Sequence, residues 1–571
     1  MWLGGVALIL LVTSPVALSQ DGGGRLLRFD RYHRARQIGR ALVRLQESYP
    51  AFTTLNSMGR SAEGRELWVL TIRNPLTGST GDKTAVFVEG NSHGNEPVGA
   101  EICLHLAETL LSGYATSPRI RQLVDERVFY IAPSLNPDAR EAFLRGPSHE
   151  QSGRRSRRPR DDDGDGLVDE DGPEDLDGDG EILQMRVRDP AGRWKTAEDG
   201  LTMRRCRPEE AGEFRLLGVE GRDNDGDGRL NEDPVGGVDL NRNFPSHWQP
   251  ESEQPGAGDY PLSEPETRAV ATFLKAHPNI AVVQSFHSSG GWILTPPAVR
   301  GGAGGRSAVI PKADRVMFAA IGARGEGMLP GYESRPAAEA LYDARGSLLD
   351  WAYFGLGAWS FTNEVWQIPR DYDKDGIITE GEQARWCREM LDGEGYRAWK
   401  TFRHPELGEV ELGGWTRMAR RAPPVWQLPA VCHRNTRFVL YHAGLMPRLT
   451  VRSLVATRAP GEDLWRVEMV AENTGALPTA TALARKEKRS EAVRATLFGG
   501  EATVIASGAS TEAGVEVQPA AGARPERVSI EALEGRGRVR VVWLVRGKGR
   551  ITASIRTPLG GRSQRSALLG R

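Results

Sequence analysis

The stretch VEGNSHGNEPVGAE, residues 88–101, decides how the chain is read. It ends an apolar run, Ala85 to Val88, that has the rhythm of a strand. It then sets His93 and Glu96 three apart in a glycine-rich turn and places Pro97 where a following helix would start. A strand that feeds through a tight turn into a helix is the repeating unit of an α/β fold. A His-x-x-Glu pair is common by chance, and alone it is more often a polar turn than a metal site. The rest of the chain has to decide between the two.

Outward from this stretch the same alternation continues. ELWVLTIR and KTAVFVEG read as strands, residues 97–111 as an amphipathic helix and RVFYIAPSLNPD as a strand. SEPETRAVATFLKAH reads as a helix with Ser263 as N-cap and Glu266 completing a capping box. NIAVVQSFHS is a further buried strand, GSLLDWAYF a helix and GAWSFTNEV another strand. The alternation predicts an α/β catalytic domain over residues 25–432, with a mixed central sheet flanked by helices. Over residues 433–571 the pattern changes to short alternating runs, among them LTVRSLVA, LWRVEMVAE, VRVVWLVR and RITASIR, separated by Gly and Pro turns. That pattern predicts a C-terminal β-sandwich-like domain.

A length of 571 residues, 39% hydrophobic and 26% charged, describes a globular protein of two to four domains. The net charge of -1 excludes a general pull toward nucleic acid or an anionic membrane. The N-terminus has an apolar core from Leu3 to Val12, then Ser14-Pro15 and the small-x-small pattern Ala17-Leu18-Ser19. Residues 1–19 therefore read as a signal peptide for a secreted or periplasmic protein, although no Lys or Arg precedes the apolar core. No later run is long and apolar enough to span a membrane, and the short lead into DRYHRARQIGRALVRLQESYP leaves no expectation of a folded pro-domain. Cys103, Cys206, Cys387 and Cys432 lie too far apart for a CxxC zinc site. Two disulfides by any of three pairings, or free buried thiols, remain open.

Between Arg154 and Arg160 five arginines run into a segment in which 12 of the 21 residues from Asp161 to Glu181 are acidic. Such a run is usually a solvated face, but here the acids are spaced. Asp161, Asp163 and Asp165 precede Gly166; Asp175, Asp177 and Asp179 precede Gly180; Asp223, Asp225 and Asp227 precede Gly228. Alternate carboxylates followed by glycine let a loop wrap a hard cation that takes six to eight oxygens, so structural calcium is expected in the insertions 161–181 and 223–233. The fullest match is DYDKDGIITEGE, residues 371–382, where Asp371, Asp373, Asp375, Ile377, Thr379 and Glu382 occupy positions 1, 3, 5, 7, 9 and 12 of an EF-hand loop. The competing reading is a flexible acidic insertion held near the arginines by charge.

Zinc catalysis needs three protein ligands and one open position. His93 and Glu96 offer two, and His287, closing the apolar run in VVQSFHSSGGW, is the natural third. His105 sits on the expected helix, while His149, His247 and His277 sit in loop contexts.

At this point five separated motifs, HGNE, GGVDLNRNFP, SEPET, FHSSGG and SFTNE, stand in the order found in zinc metallocarboxypeptidases of the carboxypeptidase A type. The chain resembles that family over about residues 30–400. The resemblance implies that His93, Glu96 and His287 hold one catalytic zinc and that Glu364 is the general base. It also implies that Asn241 and Arg242 grip the substrate's terminal carboxylate, work suited to a planar guanidinium. Tyr342 resembles the tyrosine that closes over the bound C-terminal residue, and Arg154, with Arg157 as its neighbour, resembles the arginine that polarises the scissile carbonyl. Leu349 resembles the residue at the base of the specificity pocket, and an apolar side chain there favours apolar or aromatic C-terminal residues. Asn95 and Ser289 depart from residues found in some members, which points to altered substrate subsites. The expected function is therefore an exported zinc metallocarboxypeptidase acting on peptides or proteins with a free C-terminus. The alternatives are a zinc amidase or peptidase acting on cell-wall peptides, and a calcium-stabilised binding protein on a peptidase scaffold. The second alternative predicts loss of a ligand or of Glu364, and neither is lost.

Overall fold

The computed structural model describes residues 25–162, 164–300 and 308–570. The expected signal segment and Asp163 lie outside the described residues.

The centre is an eight-stranded mixed sheet. Its spatial order is Thr53–Arg60, Glu66–Ile72, Arg127–Ala132, Thr84–Gly90, Ile280–His287, Trp359–Glu364, Trp292–Thr295 and Glu333–Pro336. The middle four strands run parallel, and every residue of Thr84–Gly90 and Ile280–His287 is buried, which is why both read as unbroken apolar runs. The register places Gly90 opposite Phe286 and His287 opposite Glu364. The carboxyl ends of three neighbouring parallel strands therefore come together at one rim, where open α/β sheets bind ligands.

Helices cover both faces, with two departures from the expected pattern. The helix Val98–Gly113 is buried almost all round, including Glu101, His105 and Glu108, so it is not amphipathic. The sheet takes one side, and the helices Ala35–Ser48, Pro118–Glu126 and Leu428–Leu445 take the others. The helix Pro265–Ala276 has no capping box. Pro265 moves the N-cap to Glu264, Ser263 is held by the side-chain amide of Asn243 at 2.9 Å, and Glu266 reaches across the fold to the backbone N–H of Ala62 at 2.9 Å. The break expected after Cys432 also falls inside a helix, Leu428–Leu445, which packs against Val98–Gly113 and so belongs to the catalytic domain.

The acidic insertions are not a loose appendage. Gln184–Arg188, Trp194–Thr196, Met203–Arg205 and Phe214–Val219 join Tyr396–His404 and Gly408–Trp415 in a second, six-stranded antiparallel sheet. Its small core is Met185, Val410 and Leu412, beside Arg186, whose guanidinium lies 3.8 Å from the Phe214 ring centroid and 4.2 Å from that of Trp399.

The C-terminal region forms two four-stranded antiparallel sheets around Met469, Trp543, Val545, Ile551 and Ile555. It docks at the amino ends of the parallel strands: Thr84 Oγ1 donates to Pro447 O at 2.9 Å, and the Arg127 guanidinium donates to Met446 O at 2.8 Å. The appendage and the rim that carries His287 are thus at opposite ends of the central sheet. Cys103, Cys206, Cys387 and Cys432 are free thiols, which settles the open choice against disulfides; burial pushes the Cys387 thiol up to about 12. No described helix is long and apolar enough to cross a membrane.

Candidate active site

The turn after Thr84–Gly90 is shaped by its backbone. Asn91 takes a positive φ of 61°, and its side-chain amide donates to His93 O at 2.7 Å. Gly94 is required by close approach, since a Cβ there would lie 2.4 Å from Ala139 Cβ. This turn aims both His93 and Glu96 at the rim, and the strand Ile280–His287 delivers His287 from the side.

The donor atoms of His93, Glu96 and His287 converge, all three residues being buried. His93 Nδ1 lies 2.9 Å from Glu96 Oε1, His287 Nδ1 lies 3.0 Å from Glu96 Oε2, and the two ring nitrogens are 3.1 Å apart. Two imidazole nitrogens and a carboxylate form a zinc donor set. Tetrahedral bonds of about 2.1 Å place such donors about 3.4 Å apart, a little wider than the spacing seen.

The tautomer agrees with this use. His93 Nε2 is 2.9 Å from Asp239 Oδ1, and because an ionised carboxylate only accepts, Nε2 carries the hydrogen and Nδ1 offers its lone pair to the cluster. Asp239 was not singled out in the sequence, although it stands two residues before Asn241 inside GGVDLNRNFP. Its other oxygen accepts from Arg154 Nε at 3.1 Å, and Oδ1 also accepts the backbone N–H of Asn241 at 2.9 Å. One carboxylate thus orients a ligand histidine, an arginine and the turn that carries Asn241 and Arg242.

Burial and neighbouring charge compete at the titratable groups of the site. Burial alone would raise the Glu96 and Asp239 carboxyls. The charges of His93 and His287 outweigh it at Glu96, and those of His93, Arg154 and Arg242 at Asp239, holding both well below the usual range. Burial would lower His287, but the bond to Glu96 and the charges of Glu96, Glu364 and Glu89 raise it to about 9. Burial is also the largest influence on Glu364 and, with the Glu96 charge, pushes it up to about 7 against His287, His93 and Arg154.

A cavity of about 210 Å³ opens on this cluster. One wall is polar, with Arg154, Asn241, Arg242 and Glu364, and the far end is apolar, with Leu294, Ala298, Ala337, Leu341 and Leu349. Arg242 Nη2 donates to the Tyr342 hydroxyl at 2.8 Å, and the tyrosine is 52% exposed at the cavity mouth. Asn241 Oδ1 accepts the backbone N–H of Leu348 at 2.9 Å, tying the carboxylate-side turn to the segment that carries Leu349. Arg154 is 3.4 Å from Glu96, whereas Arg157 turns away to Glu63 at 2.6 Å. Ser289 lines the cavity, but Asn95 does not reach it: Asn95 is fully buried and donates to Glu150 O at 2.8 Å. Among the other histidines, His105 is buried with Nδ1 against Thr436 at 2.8 Å, and His247 pairs with Asp350 at 2.8 Å.

The acidic loops lie outside this cavity and share one backbone design. The first aspartate of each accepts at least two loop N–H groups: Asp161 from Gly164 and Gly166, Asp175 from Gly178, Asp179 and Gly180, Asp223 from Gly226 and Gly228, and Asp371 from Lys374 and Gly376. Carboxylate oxygens converge within Asp175–Asp177–Asp179, Asp223–Asp225–Asp227 and Asp371–Asp373–Asp375, while Asp165 converges with Glu170 and Asp225. Glu382 is not in the Asp371 group. One of its oxygens accepts the Tyr372 N–H and the other the Thr379 N–H at 2.8 Å, closing the capping box of the helix Glu380–Met390, with Thr379 as N-cap.

Comparison with known proteins places the chain in a family. The family model described as Zinc carboxypeptidase matches residues 38–385, and a family described as a domain of unknown function matches residues 448–567. Carboxypeptidase A6 of Mus musculus is 25% identical over 347 residues, covering 59% of this chain and 60% of that protein. Carboxypeptidase D of Rattus norvegicus is 37% identical over 131 residues, 23% of this chain and 10% of that protein; carboxypeptidase M of Mus musculus is 37% identical over 125 residues, 22% of this chain and 28% of that protein. The chain therefore spans less than two thirds of the length of each of these relatives. The crystal structure of thrombin activatable fibrinolysis inhibitor aligns with a TM-score of 0.45 at 20% identity, covering 73% of this chain and 77% of that one.

Proposed function

Because the chain belongs to the zinc carboxypeptidase family, we propose that it is an exported zinc metallocarboxypeptidase that removes apolar or aromatic residues from peptides with a free C-terminus. One observation carries the reading: a zinc donor set, a buried arginine and an apolar pocket share a single cavity of substrate-residue size. His93, Glu96 and His287 would hold the metal. Zinc bound there would supply Lewis-acid polarisation of the scissile carbonyl and of an attacking water.

The chain's own residues do the remaining work. Arg242, buried and backed by the Asn241 carbonyl at 2.8 Å, presents a guanidinium to the terminal carboxylate. The side chain of the last residue then enters the end lined by Leu294, Ala337 and Leu349, an apolar cluster in which none of the described members is charged. Arg154, fixed by Asp239 beside Glu96, faces the carbonyl oxygen and offsets its developing charge. Glu364, next to His287 across the strand register, takes the proton of the attacking water and returns it to the leaving amine. Calcium is the second proposed cofactor, held by the acidic loops. Export rests on the apolar core Leu3 to Val12 and on the small residues Ala17 and Ser19.

Zinc analysis combined with hydrolysis of blocked dipeptides tests the reading. Wild type should carry one zinc and cleave C-terminal Phe or Leu best, and Glu364→Gln should keep the zinc and lose at least about 10²-fold in kcat. Best cleavage before Lys or Arg would overturn the specificity. An active Glu364→Gln would overturn the mechanism.

A further inference from the structure

Two of the acidic loops are joined to each other, and the join is made of carboxylates. DDDGDGLVDED, residues 161–171, and DNDGDGRLNED, residues 223–233, have one pattern and end in matching acidic pairs, Glu170-Asp171 and Glu232-Asp233. Asp171 and Asp233 meet as an isolated antiparallel bridge. Their side chains then cross over. Asp233 Oδ1 accepts the backbone N–H of Asp162 at 3.1 Å, and Asp171 Oδ1 accepts from the Asn224 side-chain amide at 2.9 Å. Each loop's second residue is thus held by the other loop's last aspartate, a local two-fold arrangement.

Among the described residues, several carboxylate oxygens inside this join have no donor. Asp233 is fully buried, its Oδ2 has no hydrogen-bond partner, and its carboxylate faces that of Glu170. Glu170 Oε2 and both carboxylate oxygens of Glu232 are likewise buried without a donor, Glu232 facing Asp171. Across the join the oxygens of Asp165, Glu170 and Asp225 lie within 4.8 Å of one another, so residues of both loops contribute to one group. Buried carboxylates that face each other with no donor are costly, and a hard divalent cation with oxygen ligands removes that cost.

The position of the join relates it to the active site. The first loop continues directly from Arg154–Arg160, and the second runs directly into the turn that holds Asp239, Asn241 and Arg242. The two segments zip together on the way: Gly236 N–H donates to Asp169 Oδ1 at 3.1 Å, Ser156 N–H to Val238 O at 2.7 Å, and Arg154 Nη2 sits 3.0 Å from Asp239 Oδ2. Gly236 is needed for this approach, because a Cβ there would lie 1.9 Å from Ser156 O.

We propose that the paired loops are a calcium clasp, with Asp165, Glu170 and Asp225 as cross-loop members and the buried Asp233 facing Glu170 beside them, that holds Arg154 in register with Asp239 and Arg242 and so couples calcium to substrate binding. The inference rests on the reading of the acidic loops as calcium sites and of Arg154 and Arg242 as substrate-facing groups. Without the cation, the facing carboxylates push the two segments apart. With it, the arginines are fixed before substrate arrives.

The test uses full-length protein stripped over a chelating resin and resupplied with one equivalent of zinc. Calcium chloride is titrated while bound calcium is measured by calorimetry and kcat and KM are measured on a blocked dipeptide. Calcium should raise kcat/KM about tenfold, within the usual range of coupling between two sites. Glu170→Gln should bind less calcium and lose that response, whereas Asp371→Asn, in the separate loop, should bind less calcium and keep it. Calcium uptake by wild type with kcat/KM unchanged overturns the coupling and leaves the calcium sites standing. Undiminished uptake and response in Glu170→Gln overturns the cross-loop site. No calcium uptake at all removes the calcium reading itself. The wild-type titration decides the coupling even if a variant fails to fold.

Discussion

Asp239→Asn is the perturbation that probes the active site at its narrowest point. The Asp239 carboxylate accepts from His93 Nε2 at 2.9 Å, Arg154 Nε at 3.1 Å and the Asn241 N–H at 2.9 Å. Asparagine keeps the shape but replaces one accepting oxygen by an NH₂ group. If its oxygen stays on His93 and Asn241, the NH₂ faces the donors of Arg154; if it turns, the NH₂ faces His93 and drives that ring toward the wrong tautomer. Loss of a carboxylate behind a metal-ligating histidine costs about 10–100-fold in metal affinity or activity, or ~1.4–2.7 kcal/mol. A released Arg154 costs more on the carbonyl side. The variant should bind zinc about 10–100-fold more weakly in competition with a chelator of known affinity. At saturating zinc its kcat/KM should still be about 10²-fold below wild type, because the Arg154 defect survives metal loading. Zinc affinity and kcat/KM both within about threefold of wild type would refute the idea that one carboxylate organises ligand and arginine together.

Other perturbations reach neighbouring parts of the account. Leu349→Asp places a carboxylate at the apolar end of the cavity; relative kcat/KM should move toward C-terminal Lys or Arg by about 100-fold, and an unchanged preference for Phe would show that Leu349 does not meet the substrate. Gly94→Ala puts a methyl 2.4 Å from Ala139 Cβ and 2.5 Å from its carbonyl carbon; the strain, about 1–3 kcal/mol, should expel zinc before it unfolds the domain, read as lowered metal content at a near-normal melting temperature. Glu266 is buried, and burial, with the charges of Glu264 and Asp138, pushes its carboxyl up to about 7. A folded pKa above the unfolded value favours the fold fully below about pH 4.5, and that contribution fades as pH rises through 7. Glu266→Gln should therefore flatten the fall in melting temperature between pH 5 and 8 and exceed wild type in stability by about 3 kcal/mol at pH 8; parallel wild-type and variant curves would contradict the assignment.

How much of this could be read in the sequence follows from what each residue does. His93, Glu96, His287 and Glu364 each stand at the end of an apolar strand, so strand pattern and side-chain chemistry point to the same rim, and the structure brings all four to it. Asp239 was hidden because accepting a ring N–H leaves no spacing of its own. The place of Asn95 between two ligands points to substrate, but its side chain turns inward to Glu150. Ser263 looked like a helix cap until Pro265 shifted the start and Asn243 captured the hydroxyl. The six-stranded sheet was illegible because its insertion strands are as short as three residues and lie between charged loops, where the alternation signal is lost. The domain break lies later than residue 432 because the helix Leu428–Leu445 packs against Val98–Gly113, a tertiary contact with no local signal. The pairing of the two acidic loops lay beyond any local pattern, since the pairing partners come from separate insertions and the unsatisfied oxygens exist only after folding.

The most direct measurement of the central claim is anomalous diffraction at the zinc edge from crystals of the zinc-loaded protein. One strong peak is expected about 2 Å from His93 Nδ1, a Glu96 carboxylate oxygen and His287 Nδ1, facing the cavity that holds Glu364. A principal peak on an acidic loop, or zinc bound through His93 Nε2 in place of Nδ1, would contradict it.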